Sequence, residues 1–118
     1  MTTIVFEKDH NGTVKSFTLM GHVGYARKRI FVKELDIVCS AVSALTFHTL
    51  NGLSEVVGEE INVTQNEESG FIRCVLPDDL KEGSKVLLSA FELSLSQLQE
   101  QYGDRYLSIS NKEVNTDA

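Results

Sequence analysis

Between Asp36 and Gly58 the apolar residues fall at three- and four-residue steps: Val38, Val42, Leu45, Leu53 and Val56, with Thr49 completing the row. That spacing gathers them into one stripe of a helix. Such a helix is stable only where another surface covers the stripe. Asp36 is suited to the N-cap, because its carboxylate accepts bonds from amides the helix leaves unpaired. Gly58 is suited to the stop. The covering surface has to come from the flanking segments, and both are β-rich.

Upstream, Thr2 to Glu7 carries Ile4, Val5 and Phe6 and ends at Asp9-His10-Asn11-Gly12, where Asn-Gly signals a hairpin turn. The return run, Val14 to Met20, sets Phe17 and Leu19 on one face and Thr18 and Met20 on the other. Downstream, Ile61 and Val63 alternate with polar residues, Asn66 to Gly70 turns, and Phe71 to Leu76 returns with Cys74 in core register with Ile72 and Leu76. Pro77-Asp78-Asp79 breaks that strand and opens a second helix with negative charge at its positive end. Leu87, Phe91, Leu95 (or Ser94), Leu98 and Tyr102 mark its buried face, and Gly103 ends it. Tyr106 to Ile109 is a last short strand, and Asn111 to Ala118 is polar and expected to fray. The order ββαββαβ predicts an α+β fold, a mostly antiparallel sheet with two helices packed on one face. At 118 residues there is room for one domain, 1–110, with 111–118 as its tail.

The stretch from Gly21 to Leu35 follows neither period. It holds two glycines, the basic run Arg27-Lys28-Arg29 and the pair Ile30-Phe31. A loop of this length inside a small domain is more often functional than merely connective.

Eleven Lys and Arg against seventeen Asp and Glu give a formal charge of −6. That balance argues against a general nucleic-acid binder, whose affinity comes from basic groups on phosphates. No stretch reads as the roughly 20 apolar residues of a membrane span, and the N-terminus lacks a basic-then-apolar signal layout. A cytoplasmic protein is expected, so Cys39 and Cys74, 35 positions apart, read as thiols rather than as a disulfide.

Of the two, Cys39 stands where chemistry is plausible. It lies three residues past the proposed cap, where amides and helix dipole stabilise a thiolate. His22, just after Gly21, ends a neighbouring strand and is placed to pair with the thiolate and protonate a leaving amine. Asp36 is in turn placed to orient the imidazole, in competition with capping. Spacing alone equally allows Cys39 to be a small buried hydrophobe. A metal site drawn from His10, His22, His48, Cys39 and Cys74 lacks any close ligand pair, so no metal and no cofactor are expected. Arg27-Lys28-Arg29 reads as a solvated loop tip or as a contact to a ribosomal or RNA-bound partner. Ser40, Ser43 and Ser54 match neither GxSxG nor SxxK. A redox-sensing thiol protein would want a nearby resolving cysteine, and the sequence places none beside Cys39.

The segments Gly21-His22-Val23-Gly24-Tyr25-Ala26 and Asp36-Ile37-Val38-Cys39-Ser40-Ala41-Val42-Ser43-Ala44-Leu45 resemble the ribosomal-processing cysteine protease family (Prp, also called YsxB-like), whose members carry a GHAGYA-like segment and then DIVCAAVSAL. The resemblance covers nearly the whole chain. It implies a cytoplasmic cysteine endopeptidase that removes a short N-terminal extension from large-subunit ribosomal protein number twenty-seven. It assigns the catalytic dyad to His22 and Cys39 and matches the family's Asp and Ser to Asp36 and Ser43. It further implies a homodimer whose loop between the motifs closes over substrate. Val23 stands where Ala is usual, and the loop, with Arg27 to Glu34, is several residues longer than in relatives. Phe31 is a candidate for its lid.

On this reading Cys39 attacks the scissile carbonyl, amides around Cys39 and Ser40 bind the oxyanion, and His22 protonates the amine and later activates water. Ser43, one turn beyond Cys39, either bonds within the site or bonds its own helix backbone. The competing expectation is a non-catalytic ribosome-associated binding module on the same scaffold. A basic substrate tail, as a ribosomal protein would offer, is attracted by the acidic balance.

Overall fold

The computed structural model describes residues 1–21 and 33–114, with the side chains of residues 33–36 excepted. The hairpin β1 (Thr2–Lys8) and β2 (Val14–Met20) is followed by helix α1 (Lys33–Asn51), a π-helical turn (Gly52–Val57), the hairpin β3 (Asn62–Asn66) and β4 (Phe71–Val75), helix α2 (Glu82–Tyr102) and β5 (Leu107–Glu113). The expected ββαββαβ order and α+β class are both present. The strands form one sheet in the order β3-β4-β2-β1-β5. Among the described residues, only the β1–β5 pair is parallel; it runs from Thr2 opposite Leu107 to Lys8 opposite Glu113. The parallel return follows from the crossover through the intervening elements, since a tight turn cannot bring a strand back in the same direction.

Asp9 closes the first turn. Its carboxylate accepts the amides of Asn11 and Thr13, at 2.9 and 3.0 Å, while Gly12 takes the positive φ (83°) that a side chain resists. The resulting register sets Phe6 opposite Phe17 and Ile4 opposite Leu19 on the helix-covered face. Phe91 of α2 packs on both phenylalanines, with ring centroids 5.8 Å from Phe6 and 5.2 Å from Phe17. Ile4, Val38, Val42, Leu53, Ile72, Leu88, Leu95 and Leu107 are among the residues that surround them in the core. Aromatic contacts of this kind add to the large area each ring buries.

Several sequence expectations need correction. Helix α1 begins at Lys33 rather than at Asp36. Asp36 therefore lies inside the helix and is not its N-cap. Val56 is 83% exposed instead of completing the buried stripe, because the change to π-helical winding at Gly52 turns the last residues away from the sheet. The last strand runs to Glu113 rather than Ile109, so Asn111 to Glu113 pair with β1 instead of fraying. Finally, Ile37–Val57 is long and apolar enough to cross a membrane by length and composition, although no such stretch was expected. In this fold its apolar stripe lies against the sheet, as in any core helix.

Helix α2 starts at Glu82, beyond Asp78 and Asp79, and its N-terminus is capped from elsewhere in the chain. The buried Glu59 accepts the Lys81 amide at 2.9 Å and the Ser84 hydroxyl at 2.7 Å. The Ser84 bond, then the Lys81 bond, hold the Glu59 carboxyl below the usual carboxylate range against the opposing effect of burial. A carboxylate here also faces the positive end of the helix dipole. Because the folded pKa is lowered, this contribution is present above the ordinary carboxylate pKa and is lost as pH falls through the folded value. Denaturant midpoints between pH 7 and pH 3 are expected to show Glu59→Gln less stable than wild type at neutral pH, with a shallower loss in acid. Parallel curves would contradict it. Phe91→Ala should cost about 3–5 kcal/mol in the same denaturation experiment, through lost burial and the cavity left between Phe6 and Phe17.

Candidate active site

The start of β1 and the end of β2 are paired neighbours, with Thr3 opposite Met20, so Gly21 arrives at the end of the sheet where Thr2 begins. Gly21 lies against the turn between β3 and β4. Its amide donates to the Gly70 carbonyl at 3.0 Å, and a Cβ on Gly21 would stand 3.1 Å from that oxygen and 3.2 Å from the Gly70 Cα. The absence of a side chain is what allows this approach. His22, the next residue, lies outside the described residues, as do the basic run Arg27-Lys28-Arg29 and Phe31.

Helix α1 brings Cys39 to the same end. Along β1, Thr2, Ile4 and Phe6 point into the core, and the Thr2 hydroxyl meets Cys39 Sγ at 3.7 Å. The Thr2 amide is tied in turn to the Tyr106 carbonyl at 3.0 Å. Cys39 is buried at 7% exposure, slightly less completely than the core residues around it. Ser43, four residues on, lies half-buried on the same flank of the helix, whereas Ser40 is exposed. The side chain of Asp36 is outside the described residues.

The earlier helix start changes the electrostatics expected around the thiol. With α1 beginning at Lys33, Cys39 stands in the second turn. Only the first four amides of a helix lack an internal acceptor. The amides of Cys39 and Ser40 are therefore engaged in the helix ladder, and the expectation that they bind an oxyanion is corrected.

The second cysteine has a different environment. Cys74 is fully buried on β4, opposite Phe17 of β2 and Val63 of β3. No disulfide joins it to Cys39. Burial pushes its thiol up to about 12, because the interior disfavours the thiolate. The remaining histidines, His10 in the first turn and His48 on α1, are both exposed.

A hollow of about 220 Å³ lies between the first turn and α2, lined by Asn11, Val14, Leu88 and Glu92 among others. It is at the opposite end of β1 from Thr2, roughly 20 Å away at strand rise, and takes no part in the site. Thr2 is the residue that sequence reasoning missed. The signal for it was a polar residue at a core-facing position of the alternation Thr2, Ile4, Phe6.

Residues 1–107 match the family model described as Cysteine protease Prp. The ribosomal processing cysteine protease Prp of Bacillus subtilis is 23% identical over 115 residues, spanning 94% of this chain and 98% of that protein. Among solved structures, the essential ribosomal processing protease Prp of S. aureus with a substrate peptide superposes with a TM-score of 0.82 at 20% identity, covering 95% of this chain and 100% of that one. A protein from Streptococcus mutans gives 0.81 at 24% identity, over 97% and 96% of the two chains.

The unequal environments of the thiols make a labelling prediction. Iodoacetamide at neutral pH is expected to modify Cys39 well before Cys74, as read by peptide mass mapping over time. Equal, slow labelling of both would contradict it. Above pH 9 the unfolded chain releases the Cys74 proton while the folded chain keeps it up to about 12, so stability falls with rising pH in that window. The fall should be smaller in Cys74→Ala.

Proposed function

This chain belongs to the cysteine protease Prp family, and from that premise we propose that Cys39 is its nucleophile and His22 its general acid and base. The enzyme is a cysteine protease. One observation carries the assignment of residues. The less buried of the two cysteines, Cys39, lies at the end of the sheet to which β2 delivers Gly21, the neighbour of His22.

In the proposed reaction the Cys39 thiolate attacks the carbonyl carbon of the scissile peptide bond, forming a C–S bond and a tetrahedral oxyanion. As the oxyanion collapses, the C–N bond breaks and His22 gives its proton to the departing amine. Water, deprotonated by His22, then attacks the thioester and returns Cys39 as thiolate. Since the ladder of α1 engages the amides of Cys39 and Ser40, the oxyanion donors belong to other groups.

The proposed substrate is the N-terminal extension of large-subunit ribosomal protein number twenty-seven, cut during ribosome maturation in the cytoplasm by a homodimer of this chain. The relatives support it: the B. subtilis protein is a ribosomal processing protease, and the S. aureus structures hold a substrate peptide and a covalently linked product peptide. The charge of −6 favours a basic tail approaching the enzyme.

The test is cleavage of a synthetic peptide spanning that extension, followed by mass spectrometry. Cys39→Ala and His22→Ala are each expected to lower kcat/KM by at least about a thousandfold, since members of a catalytic unit lose most of the activity singly. Thermal midpoints should stay near wild type. Full activity in either variant would overturn the residue assignment. Ribosome co-sedimentation by a wild-type protein that leaves the peptide intact would favour the non-catalytic binding module.

A further inference from the structure

We infer that Thr2 is a positioning residue for the Cys39 thiolate: its buried hydroxyl donates a hydrogen bond that holds the sulfur in place and favours its charged form. The inference rests on the reading of Cys39 as nucleophile, and it comes from a buried polar side chain at the head of the core-facing row Thr2, Ile4, Phe6 of β1.

The position of Thr2 is set by backbone. It pairs with Leu107 in the parallel register of β1 and β5, and its amide donates to the Tyr106 carbonyl at 3.0 Å. With the main chain held, the alternation of the strand directs the Thr2 side chain inward beside Ile4 and Phe6. There it is 2% exposed. A buried hydroxyl needs a partner, because leaving one unsatisfied is unfavourable. For Thr2 Oγ1, among the described residues, that partner is Cys39 Sγ at 3.7 Å.

The chemistry of the two atoms makes the contact directional. While Cys39 is a thiol, either S–H or O–H can be the donor. Once it is a thiolate the sulfur only accepts, and the Thr2 hydroxyl is then the donor. A hydrogen bond made to the charged form lowers a thiol pKa, and one made to an ion is stronger than its neutral counterpart. A valine at this position would fill the same space and satisfy the apolar pattern of the strand. It would leave the thiolate without that donor.

The chain brings further charged or titratable groups to this end of the sheet. They are the Met1 amine beside Thr2, Tyr102 at the end of α2, and Asp104, Arg105 and Tyr106 leading into β5. His22 and the side chain of Asp36 lie outside the described residues. These groups are common to wild type and to Thr2 variants, so a difference between the proteins reads the hydroxyl.

The experiment compares wild type, Thr2→Val and Thr2→Ser. The rate of Cys39 alkylation by iodoacetamide is measured from pH 5 to pH 10, with Cys74 replaced by Ala in all three proteins. Thr2→Val is expected to move the midpoint of the rate profile up by about one pH unit, as for loss of a hydrogen bond to an ion. It should lower kcat/KM for the peptide about tenfold at neutral pH, with recovery toward wild type at high pH. Thr2→Ser, which keeps the donor, should restore the wild-type midpoint. An unchanged midpoint in Thr2→Val, or a shift that Thr2→Ser shares, would overturn the inference. Because alkylation needs no substrate, this outcome is separable from failure of the nucleophile assignment, which would show as peptide cleavage surviving in Cys39→Ala.

Discussion

Three phenylalanine rings hold the two layers of this protein in register. Phe6 and Phe17 are cross-strand neighbours in the first hairpin, and Phe91 reaches them from a helix that begins more than sixty residues after β2 ends. Nothing local places Phe91 there. The helix has to be anchored at both ends, and it is: Glu59 holds its first turn, and the Gln99 side chain donates to the Leu107 carbonyl at 3.1 Å. The second anchor matters for the site, because Leu107 is the residue paired with Thr2. Core packing and the candidate active site are thus linked through one strand.

That linkage explains which parts of the fold could be read in advance. Hairpins declare themselves through turn chemistry, as at Asp9 to Gly12, and through the two-residue alternation that put Cys74 in the core. Helix edges are less legible. Asp36 has the composition of a cap, yet the helix continues three residues before it, because capping propensity is a weak local preference that tertiary contacts override. The π-helical turn carried no periodic signal at all, and the exposure of Val56 follows from it. The tertiary cap from Glu59 was equally hidden, since residues 59 and 81 are joined only by the fold.

The site was partly legible for the same reason. A cysteine near a helix start, a histidine after a strand and the two family motifs point to the proposed reacting pair. The surroundings of the pair are set by long-range placement. Thr2 touches Cys39 across 37 positions of sequence, and no spacing rule relates them. Moving the helix start also changes what the backbone supplies: the second-turn location of Cys39 removes its amide from the donors available to a developing oxyanion.

The contact between Gly21 and Gly70 bears on how this protein can diverge. Two main chains meet there with no side chain between them, so neither position accepts a methyl group unless the other moves. Glu67 and Glu68 in the same turn are exposed, and their side chains are at liberty to drift. Tolerance to substitution in that turn is therefore uneven, with exposed acidic side chains beside a glycine whose missing Cβ the other hairpin requires. A turn in the second hairpin is consequently constrained together with the residue preceding the histidine.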